Sequence, residues 1–193
     1  LGQEVDKKRI NFLPKGKVKM VGFECEGRIL DIGGGGEGII SHLFGEKVVA
    51  IDLSREELKE ARSNGALRIE MDATDLKFLD EEFSKVTSFF SLMYMDPSDQ
   101  RKVFAEVYRV LKKEGEFIIW DAEIAPCDGG EKDVIALSLT VELEGEEIQT
   151  GYGVYWPGKE QSLESLAKRG QDSGFKVGKK EQDGNIFYLK LVK

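Results

Sequence analysis

The chain has 193 residues, 40% of them hydrophobic and 33% charged, a length and composition that fit one globular domain with a single core. Its formal net charge of -8 argues against nucleic acid as a partner, and its longest apolar runs, such as residues 86–95, are too short and too interrupted to cross a bilayer. Cys25 and Cys127 lie far apart without metal-ligand spacing and read as free thiols, and no charged-then-apolar leader opens the chain, so a cytoplasmic location is expected.

Residues 1–27 predict a short helix up to Phe12, a break at Pro14 and a glycine-containing lead-in; the basic residues Lys7, Lys8, Arg9, Lys15, Lys17 and Lys19 read as a solvated face. Residues 28–40 then predict a short apolar strand ending in an acid, Asp31, a turn through Gly33, Gly34, Gly35 and Gly36, and a helix with Ile39, Ile40, Leu43 and Phe44 on one face. Successive glycines let a ligand approach to main-chain distance, and a loop in this position of an open α/β sheet is where nucleotide-like ligands sit. The spacing Gly33-x-Gly35-x-x-Gly38, with Asp52 ending the next apolar run, fits a dinucleotide fingerprint. Asp31, however, would repel a pyrophosphate and attract a cation, which favours S-adenosylmethionine, a donor with an ammonium and a sulfonium.

The run 47–52 predicts a second strand, and Ser54 with Glu57 three residues later starts a helix that Asn64-Gly65 ends. Asp52 is placed to accept hydrogen bonds from a ribose diol or to stabilise that helix dipole. A third strand over 67–71 precedes Asp72-Ala73, and a fourth over 85–90 runs into Ser91. Phe89 and Phe90 read as core or pocket wall, and Ser91 as a contact for the methionine end of the donor. An amphipathic helix follows over 98–113, capped by Gly115, and a fifth strand over 116–120 ends at Asp121, expected to face the crevice. This alternation predicts a parallel sheet with right-handed crossovers. Within 124–156 the pattern changes to an inserted β-hairpin, with runs 134–143 and 148–156. It either roofs a substrate pocket, pairs with a second subunit or covers the sheet; Tyr152, Tyr155 and Trp156 are its candidate substrate-facing aromatics. A helix over 163–173 capped by Gly174, a strand at 175–177, a turn at 183–185 and a strand over 186–192 complete the chain.

The segments Leu30-Asp31-Ile32-Gly33-Gly34-Gly35, Ala50-Ile51-Asp52-Leu53-Ser54 and Met71-Asp72-Ala73-Thr74-Asp75-Leu76-Lys77-Phe78 resemble, in order, the first three motifs of class I S-adenosylmethionine-dependent methyltransferases. Over about residues 28–123 the chain is most similar to the small-molecule branch that includes the ubiquinone and menaquinone biosynthesis enzymes. The resemblance implies an α/β, Rossmann-like fold: a mostly parallel seven-stranded sheet with a C-terminal antiparallel hairpin, in one domain spanning 1–193. It implies S-adenosylmethionine as cofactor, with Asp72 meeting the adenine amino group and the Ala73 N–H meeting the ring. The expected binding set is Asp31, Gly33, Gly34, Gly35, Gly36, Asp52, Leu53, Asp72, Ala73, Phe89, Phe90 and Ser91.

Two departures stand out. Met93-Tyr94 replaces a His-His pair common in that branch, and Glu37 stands where relatives usually carry a third glycine. Asp121, Glu123, Tyr94 and Asp96 are candidates for a general base, none with a sequence signature, so no catalytic residue is assigned; His42 reads as a packing or surface residue, and no cluster has metal spacing. The expected activity is methyl transfer to an unidentified small molecule. An NAD-linked oxidoreductase and a non-catalytic S-adenosylmethionine-binding subunit are the alternatives.

Overall fold

The computed structural model describes residues 6–62 and 64–193. Its strands, in chain order, are β1 (Ile10–Phe12), β2 (Gly16–Lys19), β3 (Ile29–Ile32), β4 (Val48–Asp52), β5 (Leu67–Glu70), β6 (Phe83–Phe89), β7 (Leu111–Ala122), β8 (Val134–Leu143), β9 (Glu146–Tyr155), β10 (Lys176–Asp183) and β11 (Ile186–Val192); the α-helices are α1 (Ile39–Phe44), α2 (Arg55–Glu60), α3 (Pro97–Val110) and α4 (Leu163–Asp172).

A seven-stranded sheet runs in the order β10-β11-β7-β6-β3-β4-β5. The pairs from β7 to β5 are parallel, while β11 runs antiparallel to both β7 and β10. This is the expected mostly parallel sheet closed by an antiparallel hairpin. β3 is buried along its whole length, which explains its unbroken Ile-Leu-Asp-Ile run. The strand order reverses on either side of β3, opening a crevice at the carboxyl ends of β3, β4 and β6.

The two faces of this sheet are covered differently. Leu30, Ile32, Val49, Val86, Phe117 and Ile119 pack with α3 and α4 through Val103, Phe104, Val107, Leu166 and Ala167. Their neighbours in register, Ile29, Val48, Ala50, Ile118 and Trp120, face the other way and meet Ile39 and Ile40 of α1 together with Ile135, Leu137, Leu139 and Val141 of β8. The period-two pattern of β8 thus buries one face of a second sheet against the first. The 124–156 hairpin forms that second sheet with the N-terminal strands: β9 pairs antiparallel along one edge of β8, and β1 and β2 pair parallel, in tandem, along the other.

Residues 7–19 therefore differ from expectation. Only Lys7–Arg9 turn, as a 3-10 helix capped by Asp6, and the chain then extends as β1 and β2 because β8 offers a free edge. The basic residues stay on a solvated face as expected, and Lys17, still exposed there, pairs at 2.6 Å with Glu142 across that edge. The second correction is Gly115: α3 ends at Val110, and Gly115 lies within β7. A Cβ there would come within 2.8 Å of the Lys112 carbonyl oxygen and 3.2 Å of that of Ser84, so glycine serves close strand approach and not a helix cap. α2 also stops early, at Glu60, although Asn64 and Gly65 do take positive φ. Gly174, at φ +104, follows α4 as expected.

Candidate active site

One cavity of about 780 Å³ opens at the carboxyl ends of β3, β4 and β6. All of the expected binding residues line it: Asp31, Gly33, Gly34, Gly35, Gly36, Asp52, Leu53, Asp72, Ala73, Phe89, Phe90 and Ser91. Its volume lies in the upper part of the range of small-ligand pockets.

The glycine loop is folded back onto two carboxylates. A Cβ on Gly34 would stand 2.6 Å from Asp31 Oδ2, and one on Gly35 would stand 2.9 Å from Asp52 Oδ2 and 2.6 Å from the Glu57 Cβ. Neither glycine has positive φ, so close approach is what excludes a side chain there. Gly33 combines both constraints, with φ +69 and the Ser91 hydroxyl packed where its Cβ would go.

Asp52 Oδ1 accepts from the Ser54 N–H at 2.8 Å and Oδ2 from the Gly35 N–H at 3.2 Å, while Ser54 Oγ caps α2 by accepting from the Glu57 N–H. Asp52 thus stands before the N-terminus of α2 and also faces the glycine loop. Two donors leave a carboxylate with free lone pairs for a diol. Asp72, beyond β5, accepts from the Thr74 N–H at 2.8 Å, and this hydrogen bond holds its carboxyl below the usual range.

Asp31 differs from a simple exposed charge. It is buried, accepts from Thr87 Oγ1 at 2.7 Å, and burial pushes its pKa up to about 7. A cation beside it would draw the proton off.

Among the general-base candidates, Tyr94 and Asp96 line the cavity. Asp96 is engaged with Lys159, 2.5 Å away. Desolvation pushes the Tyr94 phenol up even though 45% of the residue's surface stays open. Asp121 does not face the crevice. It is fully buried and accepts from the Met93 and Ala122 N–H groups and from Gln161 Nε2, because the turn after β6 and the segment before α4 close over the end of β7. Glu123 is outside the cavity lining and accepts from Gln182. His42 sits on α1, 3.5 Å from Glu146, also outside the cavity.

Several lining residues were not in the expected set: Glu37 and Glu57, Lys102 on α3, Gly151, Tyr152 and Gly153 on β9, and Lys159. Only Tyr152 had been singled out as an aromatic of the hairpin. The others reach the cavity through pairings distant in sequence; for Glu37 the one local signal was its place between two glycines.

The glycine cradle and the three strand-end acids are residues that could hold a class I donor. Residues 30–119 match a family model described as a methyltransferase domain. That stretch is just under half of the chain, and the likeness is to a methyltransferase domain. Similar solved structures share the fold at low identity. A Pyrococcus horikoshii protein aligns with a TM-score of 0.63 at 22% identity over 86% of this chain and 82% of its own. An S-adenosylmethionine-dependent methyltransferase of Mesorhizobium loti gives 0.60 at 15%, over 86% and 90%. A Thermotoga maritima methyltransferase described as a possible histamine N-methyltransferase gives 0.62 at 18%, over 87% and 83%; at such identity it carries the fold alone. A search of curated proteins finds no match.

Proposed function

We propose that this chain is an S-adenosylmethionine-dependent methyltransferase acting on a small molecule, with the donor held by the glycine loop and the acceptor beneath the β8–β9 hairpin. The observation that carries this reading is the continuity of the 780 Å³ cavity: the same space is bounded by Gly33–Gly36, Asp52 and Asp72 at one end and by Tyr94, Tyr152 and Lys159 at the other. It has room for a nucleoside-sized donor and a compact acceptor.

In this reading Asp52 takes the ribose hydroxyls, Asp72 and the Ala73 N–H take the adenine, and Asp31 with Ser91 lies at the methionine end. Phe89 and Phe90 form apolar wall. When bound, the donor supplies an electrophilic methyl on a sulfonium. The protein's own part is to fix the acceptor at attack distance and to keep water out, which the hairpin and its aromatic side chains support. A general base is required only for an acceptor whose nucleophilic atom carries a proton of high pKa.

Cys25 and Cys127 are both free thiols, which supports a reducing compartment such as the cytoplasm. Among the described residues no helix is long and apolar enough to cross a membrane. Titration calorimetry with S-adenosylhomocysteine and, separately, NAD at neutral pH tests the donor assignment: saturable binding of the first alone is expected, and binding of NAD alone overturns it. Single-turnover methyl transfer to a metabolite pool then separates an enzyme from a pure binder.

A further inference from the structure

The cavity carries more carboxylate than its own cations neutralise. Lys102 and Lys159 are the only Lys or Arg residues in its lining among the described residues, and both are engaged: Lys102 Nζ lies 2.9 Å from Asp99, and Lys159 Nζ lies 2.5 Å from Asp96 while donating to the Tyr94 carbonyl at 2.9 Å. An anionic acceptor therefore meets no free cation among them.

Glu37 is in the opposite situation. It projects from the glycine loop to the underside of β9, where its carboxylate accepts from Thr150 Oγ1 and, at 3.4 Å, from the Tyr152 hydroxyl. Both donors are neutral, and a carboxylate has about four lone-pair sites, so its charge stays uncompensated and part of its accepting capacity stays open. The Tyr152 ring is stacked on Phe90, and Tyr94 lines the same cavity. A carboxylate beside aromatic rings suits an alkylammonium group, which gains an ion pair and the attraction of the ring faces together.

We infer that the methyl acceptor is a primary or secondary amine, seated with its nitrogen at Glu37 against Tyr152 and Tyr94. This inference rests on the methyl-transfer reading above. The amine arrives as ammonium and gives one proton to the Glu37 carboxylate. Its freed lone pair then bonds the methyl carbon as the C–S bond breaks, the sulfur keeping that electron pair. The positive charge ends on the methylated nitrogen, and the Glu37 proton leaves to solvent. Thr150 and Tyr152 hold the carboxylate in place throughout and act as positioning residues.

The test uses the full chain saturated with S-adenosylhomocysteine and three probes of matched shape: 2-phenylethylamine, 2-phenylethanol and 3-phenylpropionate. Calorimetry is expected to show the amine binding about tenfold or more tighter than either of the others. Glu37→Gln, which keeps an oxygen to accept from Thr150, is expected to lower amine affinity by a similar factor while S-adenosylhomocysteine affinity and melting temperature hold. With S-adenosylmethionine, mass spectrometry is expected to find the N-methylated amine. Equal or tighter binding of the alcohol or carboxylate, binding of none of the three, or unchanged amine affinity in Glu37→Gln overturns the inference. The wild-type ranking stands as a test even if the variant fails to fold. Failure to bind S-adenosylhomocysteine at all is a separate result, which overturns the donor site itself.

Discussion

Phe90 and Tyr152 lie face to face, with ring centroids 5.1 Å apart and planes 3° from parallel. Phe90 follows the last residue of β6 with φ of 50°, a conformation bulky side chains rarely adopt, and its N–H donates to the Trp120 carbonyl at 2.8 Å. The stack joins the functional edge of the large sheet to the hairpin of the small one. Tyr152→Ala is therefore expected to lower stability by about 1 to 3 kcal/mol, from the lost stack and the lost ring burial. Hydrogen exchange is expected to quicken in residues 148–154, while S-adenosylhomocysteine affinity changes little. Unaltered exchange in β9 would show that the stack does not hold the hairpin down.

Asp52 supports a second prediction. Its oxygens already fix the Gly35 and Ser54 N–H groups, so the carboxylate is held in one orientation before any ligand arrives. Asp52→Ala is expected to weaken S-adenosylhomocysteine binding by about 1 to 3 kcal/mol through the loss of ribose hydrogen bonds, with additional loosening of the glycine loop. Asp52→Asn retains one acceptor and is expected to fall between wild type and alanine. Calorimetry on the three proteins checks the order, and undiminished binding in Asp52→Ala removes the ribose assignment.

The legible part of this molecule was local. β3, the glycine turn, β4, β5 and β11 follow from short runs bounded by acids and glycines, and the first three of these strands place Asp31, Asp52 and Asp72 along one crevice. What the sequence concealed was pairing at distance. Nothing near Ile10 or Val18 shows that they extend along β8, more than a hundred residues away, and the stretch up to Phe12 reads instead as a short helix. Asp121 sits at a strand end like the other acids, yet its surroundings are set by Met93 and Gln161, which no spacing rule connects to it. Glu37 became informative only once Thr150 and Tyr152 were found opposite it.

Asp31 makes donor binding depend on pH. In the ligand-free protein its pKa is about 7, raised by burial from an ordinary value of 3.8. The folded state thus holds a proton that the unfolded chain has already lost, so Asp31 costs nothing below about pH 4 and lowers stability progressively as pH rises to about 7. Asp31→Asn is expected to gain on the order of 1 to 3 kcal/mol in urea unfolding of the ligand-free protein at pH 8 and little at pH 4. Binding reverses the preference, because the donor's ammonium favours the ionised carboxylate. S-adenosylhomocysteine affinity is therefore expected to rise from pH 6 to pH 8 with release of a proton, read as a dependence of binding heat on buffer ionisation enthalpy. In Asp31→Asn affinity is expected to be lower and flat across that interval. A wild-type affinity that falls with pH would place the ammonium elsewhere.

Gln161 holds the buried carboxylate of Asp121 and three elements together. Its Nε2 donates to Asp121 Oδ1 at 2.8 Å and to the Ala122 carbonyl at 2.9 Å, and its Oε1 accepts from Gln100 Nε2 at 3.0 Å; Gln100 in turn donates to the Leu92 carbonyl at 2.8 Å and accepts from Arg169. Burial already pushes Asp121 up to about 7 against these hydrogen bonds. Gln161→Ala removes one of the donors that favour the charged form and leaves Gln100 short of an acceptor, at an expected cost of about 2 to 4 kcal/mol. The sign of its pH dependence follows from the same linkage. A folded pKa above the unfolded one means the stability associated with Asp121 is fullest below about pH 4 and declines as pH rises to about 7; the variant raises the folded pKa further, so the decline extends to higher pH. The loss is accordingly expected to be larger at pH 8 than at pH 5 in urea unfolding. Adding Asp121→Asn should remove that difference while leaving the Gln100 part of the cost in place. An equal loss at the two pH values would show that Gln161 acts on packing and not on the ionisation of Asp121.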